Sequence, residues 1–333
     1  AVTLNGRVSY PVVADGKVFV TTGTSLANPS GNGATLYALD DASGSIAWGP
    51  VDLPGTYGFS GHAYDYGKLF VVNFDGQVRA MDAATGSPRW TTQVDGWVTS
   101  APTAANGVLY VGGGTLNAID ESNGNHFWKA YASGSADSSP TVSDDGVFVS
   151  YPCQVYKFER FSNRNLWHYD GGCSGGGGKT SVYGNGRLYV RDYFSDQIFD
   201  AGTGTLLGTY VTQTIPAITG DTGYFLTFDT DNRGTLKATD LATQTVRWSF
   251  TGDDHLVTAP LVVDDIVIIG STTGMIFALK AGDGSVVWSA MTAAPFEVPG
   301  DGGAGGPVTG LGVGDGYLFA PSGNTLNAWK IVH

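Results

Sequence analysis

A cassette of Asp, three residues, Gly, three residues and Trp returns along this chain at nearly constant spacing. It is read at Asp40, Gly44, Trp48, at Asp82, Gly86, Trp90 and at Asp120, Gly124, Trp128. Altered copies follow at Glu159, Asn163, Trp167 and at Asp200, Gly204, Gly208, then at Asp240, Gln244, Trp248 and Lys280, Gly284, Trp288. The Trp positions stand 42, 38, 39, 41, 40 and 40 residues apart. Such a period means one small unit copied many times, none of which buries its apolar face alone.

Each unit reads as four short strands, A to D. Gly followed by alternating apolar residues opens strand B, as in Gly107-Val-Leu-Tyr-Val111. An apolar run before the Asp forms strand C, as in Leu36-Tyr-Ala-Leu-Asp40. Asp and Gly suit the C–D turn, because Asp bonds local backbone and Gly accepts positive φ. The Trp offers a large face for packing between units. These Asp and Trp residues are therefore scaffold, not site. An eighth unit starts at Gly316 and reaches Lys330 without a D strand, and the spare segment Ala1 to Arg7 supplies one. The expected fold is all-β: an eight-bladed β-propeller of four-stranded antiparallel blades, one domain over residues 1–333, closed by pairing of the N- and C-terminal strands.

The stretch Ala80-Met-Asp-Ala-Ala-Thr-Gly-Ser-Pro-Arg-Trp90 resembles the repeat of the PQQ-repeat (quinoprotein-like, BamB-like) β-propeller family, and the resemblance spans essentially the whole chain. It implies the propeller fold. It leaves function open, since such propellers serve as dehydrogenases, an outer-membrane assembly scaffold, and secreted binding proteins or enzymes. It also implies that D–A and B–C connections share one face, the top.

Charge narrows the partners. A formal net charge of −13 disfavours nucleic acid and anionic membranes, which call for clustered Lys and Arg. No apolar run is long enough for a transmembrane helix. Cys153 and Cys173 fall in top loops of neighbouring units, so a disulfide is expected, with an oxidising, extracellular or periplasmic setting. The protein is expected to be a monomer.

Departures from the repeat mark the candidate site. Long top loops occur around Thr22 to Ala34 and around Met291 to Gly306. His62 stands where other units carry Pro102 or Pro260. Arg191 and Tyr151 replace the small residue seen as Gly112, and Lys179 precedes strand A of unit 5. Asp254 and His255 lie in the loop into unit 7, and Trp97 in that into unit 3. If these line the mouth of the central channel, they form a concave polar site. The run Asp229-Thr-Asp231-Asn-Arg-Gly234 resembles the start of a calcium loop, but Arg233 at the fifth position favours a polar hairpin turn.

Three functions compete. A binding propeller would engage carbohydrate or an extracellular protein through the top face, with Tyr57, Trp97 and Tyr193 stacking and Asp192, Asp254 and Arg233 bonding. A polysaccharide lyase acting on an acidic glycan would use His62 or His255 as base, Arg191 or Lys179 as cation, and Tyr151 or Tyr193 as acid. A glycoside hydrolase would need paired carboxylates, for which Asp192, Asp254, Glu297 and Asp301 are loose candidates. A quinoprotein dehydrogenase fits least, because the cysteines are not adjacent and the chain is short for that class. No cofactor is expected: PQQ is not, and calcium has only the Asp229 loop to support it.

Overall fold

The computed structural model describes residues 1–23, 33–55, 59–132, 138–173, 179–192, 195–300 and 309–331. It is all-β. Eight antiparallel sheets follow one another along the chain as blades, at residues 12–53, 59–93, 103–130, 141–170, 182–210, 217–250, 261–291 and 312–330. The A strands of successive blades lie side by side around the axis. The eighth blade takes its outer strand from the other end of the chain: Val2 pairs with Leu326 and Thr3 with Thr325. The inner edge of Lys17–Gly23 is shared between Val12–Ala14 and Arg7–Val8, so the first blade is a five-stranded sheet. No helix is long and apolar enough to cross a membrane among the described residues.

The cassette explains how blades are joined. In the C–D turns that carry the cassette Gly, its N–H closes on the carbonyl four residues earlier, as Gly86 on Asp82 at 2.8 Å, and Gly86 has φ +73°. The Trp of the preceding blade lies over that glycine. A Cβ on Gly86, Gly124, Gly204 or Gly284 would stand 2.6–2.7 Å from the ring of Trp48, Trp90, Trp167 or Trp248, so any side chain there collides. Each indole N–H then donates into the next blade: Trp48 to the Ala83 carbonyl, Trp90 to Glu121, Trp128 to Arg160, Trp167 to Ala201 and Trp248 to Ala281, at 2.9–3.1 Å. The apolar clusters accordingly lie between blades. Phe19, Leu36 and Trp48 of blade 1 pack with Leu69, Val71 and Met81 of blade 2. The core is a ring of seams rather than one centre.

Candidate functional site

In an antiparallel blade the ends of strands B and D lie at one edge, so B–C and D–A connections share the top face. The inner A strands leave an axial cavity of about 320 Å3. Tyr10, Thr99, Ser100, Ser139, Thr180 and Pro260 are among the residues lining it, and Tyr10 is the one titratable side chain in that lining among the described residues. Its hydroxyl is engaged: it accepts from the His62 N–H at 2.7 Å and donates to the His62 carbonyl. Burial pushes the Tyr10 phenol well above its usual range.

His62, expected at the channel mouth, lies behind Tyr10. It is 2% exposed, its ring stacks face to face on that of Tyr10 at 4.5 Å, and Nε2 meets the Phe19 carbonyl at 3.2 Å. Burial pulls its pKa down to about 4. It joins blade 1 to blade 2, and Tyr10 stands between it and the cavity. None of His62, Arg191, Tyr151, Lys179 or His255 lines that cavity.

Polar groups gather instead off the axis, on top of blades 4 to 6. The disulfide Cys153–Cys173 is present, its Cα atoms 5.5 Å apart. It ties the B–C turn of blade 4 to the loop entering blade 5. The Cys153 N–H donates to Asp192 Oδ2 at 2.9 Å. Asp196 then holds both top loops of blade 5, accepting from the Thr212 N–H at 2.9 Å and the Asp192 N–H at 3.3 Å. Arg191, 6% exposed, donates Nη2 to the Gln213 carbonyl at 2.8 Å. Burial lowers its pKa while Asp196 opposes the shift, and burial raises that of Asp196 against the pull of Arg191 and Lys179. Lys179 is lowered by its own burial and by Arg191. Tyr210 is buried against this group and raised well above its usual range. Gln154 adds bonds to Asp170 at 2.5 Å, to the Cys173 carbonyl at 3.2 Å and to His168 at 2.6 Å. Tyr151 ends its strand opposite Gln154.

The structure therefore brings Lys179, Arg191 and Asp192 together beside the disulfide. Arg233, Asp254 and His255 form a separate group at blades 6 and 7. There Arg233 pairs with Asp229 at 3.3 Å and with Asp231, so the calcium-like run is a hairpin turn held by its own arginine. The Asp254 carbonyl accepts from the Gly234 N–H at 3.3 Å, and His255 is exposed. Trp97 is 68% exposed above Phe74, ring centres 5.3 Å apart. Glu297 is ion-paired with Arg7. Tyr57, Tyr193, Asp301, residues 24–32 of the first long loop and residues 301–306 of the second lie outside the described residues. Asp196 was missed in the sequence, although the signal was there: it occupies the strand C position held by Leu36, Val78, Leu116, Val155, Leu236 and Ile276. Arg191 likewise stands where Gly112 and Gly270 stand.

The family described as outer membrane protein assembly factor BamB matches residues 32–128 and 112–298. No curated protein sequence matches the chain. Among solved structures, BamB from Moraxella catarrhalis is similar at TM-score 0.69 and 17% identity, covering 100% of this chain and 96% of that one. The computationally designed Ika8 protein is similar at 0.77 and 16%, covering 99% and 98%. A europium-containing methanol dehydrogenase is similar at 0.68 and 15%, covering 97% and 85%. At such identities these structures speak for the fold.

Proposed function

We propose, from the premise that this chain belongs to the PQQ-repeat family of outer membrane protein assembly factor BamB, that it is a protein-binding scaffold working through the top of blades 4 to 6. The observation carrying this reading is the division of labour on the top face. The axial cavity offers hydroxyl and apolar groups with one engaged phenol. The charged groups lie off-axis, fixed by the disulfide and by Asp192 and Asp196. Arg191 and Asp196 are spent on holding loops, which suits a preorganised recognition surface better than proton transfer. The partner is a polypeptide, with Lys179 and Asp192 setting charge register and Trp97, on the loop from blade 2 to blade 3, as a further exposed aromatic contact. A disulfide of this kind suits an oxidising periplasmic or extracellular compartment.

The test is photo-crosslinking from residues introduced at Asp192 and Trp97, with Ile46 and Val286 as controls, in extract from an oxidising compartment. Polypeptide adducts from the top positions alone, lost on Lys179→Glu, are expected. Adducts equal at all four positions overturn the reading. An unsaturated, ultraviolet-absorbing product from an acidic polysaccharide would replace it with the lyase.

A further inference from the structure

Opposite the top face, where A–B and C–D turns meet, the seam from blade 2 to blade 3 buries charge. The place after the acidic position of the cassette is held by Ala83, Ala201, Leu241 and Ala281 in other blades and by Glu121 in blade 3. Its main chain does what the others do. The Glu121 N–H donates to the Gly107 carbonyl at 3.1 Å, and its carbonyl accepts from the Trp90 indole N–H at 2.9 Å. The side chain is the exception. Glu121 is 0% exposed, and neither carboxyl oxygen has a hydrogen-bond partner. From blade 2 it is faced by Asp65 and Lys68. Lys68 Nζ stands 3.6 Å from Oε2, and Asp65 Oδ2 accepts from the Gly107 N–H at 3.3 Å. From blade 3 itself the Tyr110 phenol lies within reach of its charge, with the hydroxyl committed to the Arg160 carbonyl at 2.9 Å. Asp120 bonds its own turn through the Ser122 N–H at 2.8 Å. Beside Trp90, Arg89 is bound to Asp82.

One cation cannot serve two carboxylates in a dry seam. An ionised carboxylate without a donor is costly to bury, and a second carboxylate beside it adds to the cost. A single proton removes both difficulties. It turns Glu121 from an acceptor into a donor, and Asp65 is the acceptor that faces it. Lys68 then balances the one charge that remains. We propose that Asp65 and Glu121 share one proton across this seam, and that losing it loosens the edge of blades 2 and 3 opposite the top face, so that the pair is a pH-sensitive latch. Burial first, and Asp65 second, hold the Glu121 carboxyl up at about 7, against an ordinary 4.5. The folded chain therefore keeps a proton that the unfolded chain has already lost. The latch is complete below pH 4.5 and is lost as pH rises through 7. It lies on the other face from the top platform and stands whether or not that platform binds a polypeptide.

The composition makes the test specific. The chain has three glutamates, Glu121, Glu159 and Glu297, so carbon labelling of the glutamate carboxyls gives three resonances to follow with pH. One of them, missing from Glu121→Gln, titrates near neutral pH. Should Glu121→Gln not fold, Glu159→Gln and Glu297→Gln identify it by elimination. Asp65→Asn removes the like charge and moves its midpoint to lower pH, and Lys68→Met moves it higher. Hydrogen exchange reads the seam itself. The Trp90 indole N–H rests on the Glu121 carbonyl and the Trp248 indole N–H on the Ala281 carbonyl, each at 2.9 Å. Corrected for intrinsic rate, protection of the Trp90 indole relative to that of Trp248 falls at least roughly tenfold from the acid to the alkaline side of the midpoint. The fall is absent in Glu121→Gln. A Glu121 resonance that titrates at the ordinary carboxylate value, or the same pH dependence at both indoles in the unsubstituted chain, overturns the proposal.

Discussion

The seam from blade 6 to blade 7 and the seam from blade 5 to blade 6 solve one packing problem in two ways. In the first, Trp248 lies over Gly284 and bonds the Ala281 carbonyl at 2.9 Å. In the second, Gly208 replaces the Trp, and the following turn carries Gln244 in place of Gly. Gln244 keeps the turn conformation, with φ +59° and its N–H on the Asp240 carbonyl at 2.8 Å. It is tolerated because no indole lies above it. The missing bond is supplied from another strand: Arg187 Nη1 donates to the Leu241 carbonyl at 2.7 Å. The missing volume is filled by Tyr189, Tyr210 and Phe225, with ring centres 5.3–6.4 Å apart. The repeat is therefore coupled across seams rather than within blades. Where the turn keeps its positive-φ residue, a Trp in one blade goes with a Gly in the next; Asn163, which follows Trp128, is not at positive φ.

The largest test removes the indole. Trp248→Ala takes away a ring packed in the cluster of Leu236, Leu279 and Val267 and a bond to a carbonyl. A loss of about 3–5 kcal/mol is expected in denaturant unfolding. Gly284→Gln, which gives this seam the residue that blade 6 tolerates, puts a Cβ 2.6 Å from the same ring at φ +72°. It costs about 2–4 kcal/mol from positive-φ strain and overpacking. If either change is as mild as a surface substitution, the seam account fails.

A third seam is read by pH. His62 bridges blades 1 and 2 through the Phe19 carbonyl, and its pKa is lowered to about 4, mainly by burial, against an unfolded value of 6.5. The unfolded chain binds the proton first. Stability from this group is complete above pH 6.5, falls as pH drops from there through 4, and falls no further below. The total is about 3 kcal/mol. His62→Gln should flatten that part of the profile, and an unchanged slope would show that the ring is wet. Weaker again, Arg187→Met at the atypical seam takes one donor from the Leu241 carbonyl and costs about 1–3 kcal/mol. An equal effect at Arg89, which is exposed in a regular blade, would remove the distinction.

How much of this was legible follows from the same coupling. Spacing pointed to eight blades and to closure by the segment Ala1 to Arg7, and the disulfide followed once the family resemblance put both cysteines in top loops of neighbouring units. The substitutes at blade 5 were visible as irregular copies, but not that Arg187 and Phe225 repair them. That repair joins residues from different strands, and in Gly223 and Phe225 it exchanges small for large: a Cβ on Gly223 would stand 2.5 Å from the Phe225 ring. His62 was read toward the channel because strand A is innermost, yet alternate residues of a strand face opposite ways, and Tyr10 covers its ring. Asp196 is less visible than the charges gained in loops. It sits on a strand, at a position that is apolar in the other repeats.

The smallest expected effect is the most discriminating. Gln244→Gly relieves a non-glycine residue at φ +59° but gives up the Nε2 bond to the Leu241 carbonyl at 3.2 Å, which Arg187 continues to serve. The net gain should be only about 0.5–1 kcal/mol. The informative step repeats the change after Gly208→Trp. With an indole restored above the turn, the Gln side chain becomes an obstruction, and its removal should then gain more, by a coupling of about 0.5–3 kcal/mol. A cycle closing without coupling would mean that Gly or Gln in the turn answers only to its own φ. A positive coupling would mean that the irregular positions Gly208 and Gln244 are one feature, divided between neighbouring blades.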